Sequence, residues 1–286
     1  MMSSIYTDLN AYAQRQNGSE MVDESHFYDF RNNIYGGVMP SRFQKMFLGG
    51  DGNELVSKAG AVHSSSMLGY NFFHWVEDYP LTIQWEDGQR ICYNRVKFEE
   101  KMSVLVGTNP ANMDIVLSNE KGDILFIESK FLEYVNAKQF KLSTTYQKPQ
   151  KYFDLSYGGK WAQFIAAIEP SRFCDGIKQE ICHLIAITNW IDHKRDIGGV
   201  WYEGEGDVRF INLVFEPKTT YKEHESFTAY NERYEELHQM LSSQKLIPQE
   251  LKMKFMTYSD VWPMVKSVVP SVLKDYLQEH YMAFAK

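Results

Sequence analysis

Two acids and a lysine stand at the ends of two short apolar runs in the middle of the chain. Asp114 immediately precedes the run Ile115–Leu117, while Glu128 and Lys130 follow the run Ile124–Ile127. Paired carboxylates bind a hard divalent cation such as Mg²⁺, which lowers the pKa of a bound water and neutralises charge on a phosphate. A nearby lysine can deprotonate that water as a neutral amine, or as an ammonium group can orient it or neutralise phosphate oxygens. These residue types therefore indicate metal-assisted hydrolysis of a phosphate ester, if the fold brings them together.

A β-hairpin would bring them together only in one register. The apolar runs flank a turn-forming segment that ends in Lys-Gly-Asp, which is typical of a hairpin. A three-residue loop over 120–122 would use Gly122 at the position where such loops need a positive φ. Asp114 would then lie directly opposite Glu128, with Lys130 on the same face. A loop of four residues would separate the two acids onto opposite faces.

The pattern D-x(n)-E-x-K formed by these residues resembles the signature of the PD-(D/E)XK nucleases, the restriction-endonuclease-like superfamily. Asp114 matches the first acid, Glu128 the second and Lys130 the lysine. The proline of the signature is not adjacent to the acid, because Pro110 lies four residues upstream. The run E-S-K-F-L-E-Y from Glu128, and H-S-S-S-M-L from His63, are similar to segments of uncharacterised bacterial proteins grouped as restriction endonucleases. The resemblance covers roughly residues 50–190.

The resemblance implies a Mg²⁺-dependent nuclease, with Mn²⁺ as a substitute and DNA as the expected substrate. In it, Asp114 and Glu128 hold the metal and Lys130 positions the attacking water. Many members carry a further acid upstream of the hairpin, and Glu54 matches it as a catalytic and metal-binding residue. A helix-start glutamate favoured by the helix dipole is an equally good interpretation of Glu54.

Other residues compete for places in such a site. Glu99 and Glu100 are weaker alternatives to Glu54 as the upstream acid. Gln163 lies on the probable helix after the lysine, where some superfamily members place a glutamine near metal or DNA. A surface glutamine is the simpler interpretation of Gln163. The sequence alone leaves these alternatives open.

A lysine-rich segment after the hairpin is the best candidate for a substrate-binding surface. Tyrosines that could stack on bases interleave with it, although a solvated surface has the same composition. The formal net charge of −7 argues against strong non-specific DNA binding, because phosphate neutralisation supplies most such affinity. The lysines are Lys138, Lys141, Lys148, Lys151 and Lys160, and the tyrosines are Tyr146 and Tyr152.

Two other classes of function remain. A glycoside hydrolase also uses a pair of carboxylates, and the aromatic content would suit sugar stacking. However, Lys130 would keep Glu128 ionised and so disfavour an acid role for it. A catalytically inactive protein with a nuclease-like fold, serving in binding or regulation, is the other alternative. Binding of Mg²⁺ or Mn²⁺ would distinguish an active nuclease from such a scaffold.

The elements that must position the site alternate between apolar strands and amphipathic helices. Ser64–Ser66 resemble a helix N-cap, and the apolar spacing after Lys160 predicts another helix. Strands that are apolar on both faces need helices on both sides, so we predict a three-layer α/β/α sandwich with a mixed sheet. The helices are predicted at 19–46, 67–76, 160–168, 224–241 and 261–281, the last of them interrupted at Pro270. In addition to the two strands of the hairpin, strands are predicted at 81–85, 90–98, 183–188, 209–215 and 252–258.

Length and composition are consistent with this fold. We predict one nuclease-like domain over 1–286, with its core at about 50–190 and elaborations at both ends. Three cysteines without CxxC spacing suggest neither a disulfide framework nor a zinc site. No apolar run reaches membrane-spanning length and no signal sequence is evident, so we expect a cytoplasmic protein without a membrane partner. Sequence preference, the choice between DNA and RNA, and the oligomeric state, a dimer included, stay open.

Overall fold

A five-stranded mixed sheet forms the centre of the protein. The computed structural model describes residues 2–50, 54–136, 138, 141–169, 173, 175–193 and 206–286. The strands run in the order β3-β4-β5-β6-β7, with antiparallel pairing as far as β5 and parallel pairing from β5 to β7. A separate antiparallel pair is formed by β1 and β2. The strands are β1 Leu81–Gln84, β2 Arg90–Tyr93, β3 Arg95–Met102, β4 Ala111–Ser118, β5 Ile124–Lys130, β6 Val208–Val214 and β7 Leu251–Thr257.

Helices cover both faces of this sheet. They are α1 Ile5–Asn17, α2 Ser41–Gly49, α3 Glu54–Ser57, α4 Ser65–Phe73, α5 Leu155–Ala167, α6 Asp175–His193, α7 Glu223–Ser243, α8 Tyr258–Val265 and α9 Ser271–Leu277. Among the described residues, no helix combines the length and apolar character needed to cross a bilayer.

The alternation of side chains along β4 and β5 shows that α4 and α6 lie on opposite faces. Gly69 of α4 is so close to the sheet that an added Cβ would lie 2.9 Å from Ile115 and 3.3 Å from the hydroxyl of Ser129. On the other face, the ring of Trp190 in α6 packs edge-on against Phe126 at 5.6 Å. Because neighbouring residues of a strand point to opposite faces, the sheet lies between two helical layers. The predicted three-layer α/β/α sandwich is confirmed.

The hairpin has the register that a joint site requires. The pairs run from Ser118 opposite Ile124 to Ile115 opposite Ile127. The backbone N–H of Asn119 donates to the carbonyl of Asp123 at 3.2 Å, which closes a loop of residues 120–122. Gly122 has a φ of 90°, the conformation for which glycine was expected. One step beyond the last pair, Asp114 lies opposite Glu128.

One predicted strand is wrong. The apolar run 183–188 lies inside the 19-residue helix α6, where it packs against the sheet. A short continuous apolar run suits a buried helix as well as a buried strand, and only the length of the surrounding segment distinguishes them. The buried strand that follows the core helices is instead β6, which the sequence also predicts. Since β6 and β7 lie after residue 190, the sheet extends beyond the core of 50–190.

The other predicted helices and strands overlap elements of the structure, with one exception. Ser64 is the N-cap of α4, accepting a hydrogen bond from the N–H of Met67, and α5, α7, β1, β2, β3, β6 and β7 overlap their predicted positions. Residues 19–46, predicted to be mainly helical, instead form short 3-10 turns and isolated bridges before α2 begins at Ser41. Glycines at 36 and 37, both with positive φ, interrupt helical continuity there. Helix α1 was not among the predictions.

Candidate active site

Three acids on neighbouring strands stand at the same level of the sheet. Glu99 of β3 lies between the pairs that place Phe98 opposite Ile115 and Glu100 opposite Met113, so its position faces Asp114. Asp114 in turn stands opposite Glu128 of β5. Glu99 has a φ of 53°, a left-handed conformation that is uncommon outside glycine. Backbone strain of this kind persists where the surroundings impose it, and it is concentrated at functional sites.

Glu128 is held between two basic side chains. It is 1% exposed, and its Oε1 accepts an ion-pair hydrogen bond from Nζ of Lys130, which is 4% exposed. The same Nζ donates to Oε1 of Gln179 on α6 at 2.5 Å. One turn further along α6, Nδ1 of His183 lies 3.0 Å from Oε2 of Glu128. Helix α6 therefore supplies one side of the site.

Asp114 is anchored through the backbone of the partner strand. Its Oδ2 accepts a hydrogen bond from the N–H of Ser129 at 2.8 Å. Ser129 itself points to the opposite face, where its hydroxyl lies 2.7 Å from that of Tyr258. The hairpin therefore fixes the carboxylate of Asp114 beside Glu128 while it packs against helices behind the sheet.

Glu54 approaches the acids from the N-terminal side of α4. Its Oε1 accepts a hydrogen bond from Lys58 at 2.6 Å, and its Oε2 accepts one from the hydroxyl of Ser66 at 3.2 Å. Glu54 is buried, at 8% exposure, and it lines the same cleft as Asp114 and Glu128. Glu54 therefore stands in the first turn of α3 and also lines the cleft. Its position is consistent both with a helix-start glutamate and with an acid of the site.

The electrostatics of the cluster show an excess of negative charge. Burial together with the charges of Glu54 and Glu128 raises the pKa of Glu99 to about 8. Burial, Glu128 and Glu99 raise the pKa of Asp114 well above its usual range. Burial alone would raise the pKa of Glu128, but Lys130 and His183 outweigh it and bring that pKa to about 2. Burial opposes the charge on Lys130, yet Glu128 and Asp114 raise its pKa above the ordinary value.

All these groups line one cleft of about 940 Å³, which we call the site cleft. It runs between the N-terminus of α4 and the first half of α6. Its polar lining includes Glu54, Glu99, Asp114, Glu128, Lys130, Gln179 and His183, together with His63, Glu133, Lys138, Tyr146 and Lys178.

The predicted substrate-binding residues divide between this cleft and the outer surface. Lys138 is exposed and lines the cleft, whereas Lys141 and Lys148 are exposed outside it. Gln163 projects from the exposed side of α5 and does not line the cleft. Tyr152 is buried, at 4% exposure, and cannot stack on bases without rearrangement, while Tyr146 does line the cleft.

Sequence reasoning missed the two residues that α6 contributes. Gln179, not Gln163, is the glutamine that contacts the site lysine, and His183 was assigned to a strand. Residues four apart share one face of a helix. The spacing of Gln179 and His183 would have identified them as a pair if the segment had been recognised as a helix.

The residues present fit a hard divalent cation, although they do not form a complete ligand cage. Oε2 of Glu128 is buried and makes no hydrogen bond, and the neighbouring carboxylates leave the site with excess negative charge. Within the described ranges, no three His, Cys, Asp or Glu side chains converge as a preformed metal cluster. A cation that retains several water ligands, as Mg²⁺ does, needs only one or two carboxylates.

The mixed sheet between two helical layers, with acids and a lysine on its central hairpin, defines a protein of the restriction-endonuclease-like class. A family model described as "Restriction Endonuclease associating with ARP" (REase-ARP) matches residues 9–282. The chain therefore belongs to this family, and its membership indicates a nuclease that acts on nucleic acid. No curated protein and no solved structure matches the chain.

Proposed function

We propose that the protein is a metal-dependent nuclease that hydrolyses phosphodiester bonds of DNA, with Mg²⁺ or Mn²⁺ as cofactor. One observation carries the proposal: the register of the hairpin brings Asp114, Glu128 and Lys130 together in the site cleft. Membership in a restriction endonuclease family supports the same reaction class.

Each side chain has a role that its contacts support. Asp114 and Glu128 are the metal ligands, and Glu54, which lines the same cleft, assists them. A cation held there would neutralise phosphate charge and make an attacking water more acidic. Lys130 has three N–H donors; it uses one on Glu128 and one on Gln179 and retains one for a water or a phosphate oxygen.

The non-catalytic alternative rests on two observations. The described residues contain no preformed three-ligand cluster, and the net charge of −7 works against DNA affinity. A glycoside hydrolase is less well supported, because a pKa of about 2 leaves Glu128 ionised and unable to act as an acid. Asp114 would then have to be the acid, and the family match gives no support for sugar chemistry.

A cleavage assay separates these functions. Linear, circular and single-stranded DNA, with RNA in parallel, are incubated with the protein and Mg²⁺ or Mn²⁺. We expect cleavage that EDTA stops and that Asp114→Ala and Lys130→Met abolish. Matched controls are Asp123→Asn, at the other end of the hairpin, and Lys254→Met, on β7 away from the cleft. Absence of cleavage on every substrate, or cleavage by either site variant at the wild-type rate, would contradict the mechanism.

A further inference from the structure

His183 makes two close approaches that the proposed roles do not use. Its side chain is 5% exposed and faces the hairpin from α6. Nε2 lies 3.1 Å from the carbonyl oxygen of Asn112 on β4. Nδ1 lies 3.0 Å from Oε2 of Glu128, whose side chain is 1% exposed.

The contact with Asn112 decides the tautomer. A carbonyl oxygen only accepts hydrogen bonds, so Nε2 carries the proton. In the neutral form, which is the form that binds metals, the ring has a lone pair on Nδ1, and this nitrogen faces an oxygen that also carries lone pairs. Neither Nδ1 nor Oε2 makes a hydrogen bond, and both are buried. With the ring neutral, the pair presents two electron donors side by side, 3.0 Å apart.

This arrangement has the dimensions of one edge of an octahedral metal site. Ligands at about 2.1 Å from a cation and 90° apart are separated by about 3 Å. The separation of 3.0 Å between Nδ1 and Oε2 meets that requirement. Histidines that bind metals almost always donate their other ring N–H to a carbonyl or carboxylate, as His183 does to Asn112.

We propose that His183 is a metal ligand through Nδ1, adjacent to Oε2 of Glu128. This inference rests on the proposed function, since it concerns the same cation. An imidazole nitrogen favours transition metals over Mg²⁺, which prefers oxygen ligands. The protein should therefore bind Mn²⁺ more tightly than Mg²⁺, by a margin that depends on His183.

Pulsed electron paramagnetic resonance of bound Mn²⁺ tests the ligand directly, because it detects hyperfine coupling to a coordinated nitrogen. The wild-type protein is compared with His183→Ala and with His183→Asn, whose amide oxygen can occupy the position of Nδ1. The control is His238→Ala, which disturbs another histidine–glutamate pair, with Glu180, outside the cleft. Circular dichroism and thermal unfolding establish that each variant is folded.

We expect nitrogen coupling in the wild type and in His238→Ala, and none in either His183 variant. The Mn²⁺ dissociation constant, measured by calorimetry, should rise about tenfold or more in His183→Ala. In His183→Asn the preference for Mn²⁺ over Mg²⁺ should shrink. Bound Mn²⁺ without nitrogen coupling in the wild type would overturn this inference while leaving the nuclease proposal intact. Failure of the wild type to bind either metal would overturn both.

Discussion

The two ends of the central sheet differ in how their charged side chains are paired. At the end where the hairpin turns, buried Arg209 contacts Asp207 at 2.7 Å and lies 4.3 Å from the ring centre of Trp85. Lys252 adds ion pairs to Asp87 at 3.1 Å and Asp207 at 3.4 Å. Asp87 and Asp207 each pair with both of these basic side chains, although Nε of Arg209 is buried without a hydrogen bond.

At the other end of the same strands, acids exceed bases. Glu99, Asp114 and Glu128 share the site cleft with Lys130, and two of these carboxyls have raised pKa values. Such a cluster of acids lowers the stability of the fold unless a positive charge neutralises it. The comparison indicates that the turn end stabilises the sheet, whereas the open end has the properties of a binding site for a cation.

The largest expected effect is from Asp114→Asn at the open end. Because the amide keeps the hydrogen bond to the N–H of Ser129 but loses the charge, cleavage should fall by roughly a thousandfold. The same change removes repulsion with Glu128, so the unfolding free energy in EDTA should rise by about 1 kcal/mol. Turnover and urea denaturation measure the two effects. A loss of stability together with activity would show that the carboxylate is structural.

Arg209→Met at the turn end should lower stability and leave cleavage unchanged. Removing the cation leaves Asp207 and Asp87 without their buried partner, and the unfolding free energy should fall by about 2 kcal/mol. The acids are 38% exposed, which moderates the loss. Cleavage per folded molecule and Mn²⁺ affinity should not change. Weakened metal binding in this folded variant would mean that the two ends are coupled.

Glu99 at the open end should contribute to the pH dependence of stability, in the same direction as Asp114, whose pKa is also raised. The folded-state pKa of Glu99, about 8, lies above the ordinary value of 4.5, so the folded protein holds a proton that the unfolded chain has released. Stability in EDTA should therefore decrease as pH rises from about 4.5 to 8, by at most about 1.4 kcal/mol per pH unit. Thermal unfolding at pH 5 and pH 8 measures the slope. Glu99→Gln, or saturating Mn²⁺, should flatten it, and an unchanged slope in both would refute the assignment.

The smallest effect concerns the backbone of Glu99. Glycine adopts a φ of 53° more readily than any other residue, so Glu99→Gly should be more stable than Glu99→Ala by about 1 kcal/mol. Both variants lack the charge, and their difference isolates the backbone. Lys245→Gly is the reference, because Lys245 has the same φ away from the site. Equal stability of the two Glu99 variants would show that the strand is not strained.

Local sequence was sufficient for the hairpin and its charged ends. Two apolar runs and a turn segment predicted the hairpin, while its register depended on a three-residue loop with Gly122. The structure has that loop, and the resulting register places Asp114 opposite Glu128. The hydrophobic patterns of β6 and α7 also predicted the correct element, because the length of each segment suits only one type of secondary structure. Helix α6 was misassigned because its apolar centre is as suitable for a strand as for a helix.

The contributions of distant segments could not be predicted in this way. Gln163 and Gln179 are both glutamines on helices after the lysine, and only packing shows that Gln179 reaches Lys130. Glu99 had been a weaker candidate than Glu54, yet both line the cleft. Tyr152 fitted a stacking role by composition but lies buried.

The sequence by itself determined the hairpin, the residue types of the reaction and the α/β class, because these depend on neighbours in the chain and on periodicity. Tertiary structure decided which groups surround those residues. The packing of α6 on the sheet placed His183 and Gln179 beside Glu128 and Lys130, and the position of α3 brought in Glu54. Their distances depend on contacts between segments far apart in the chain, and no local pattern encodes such contacts.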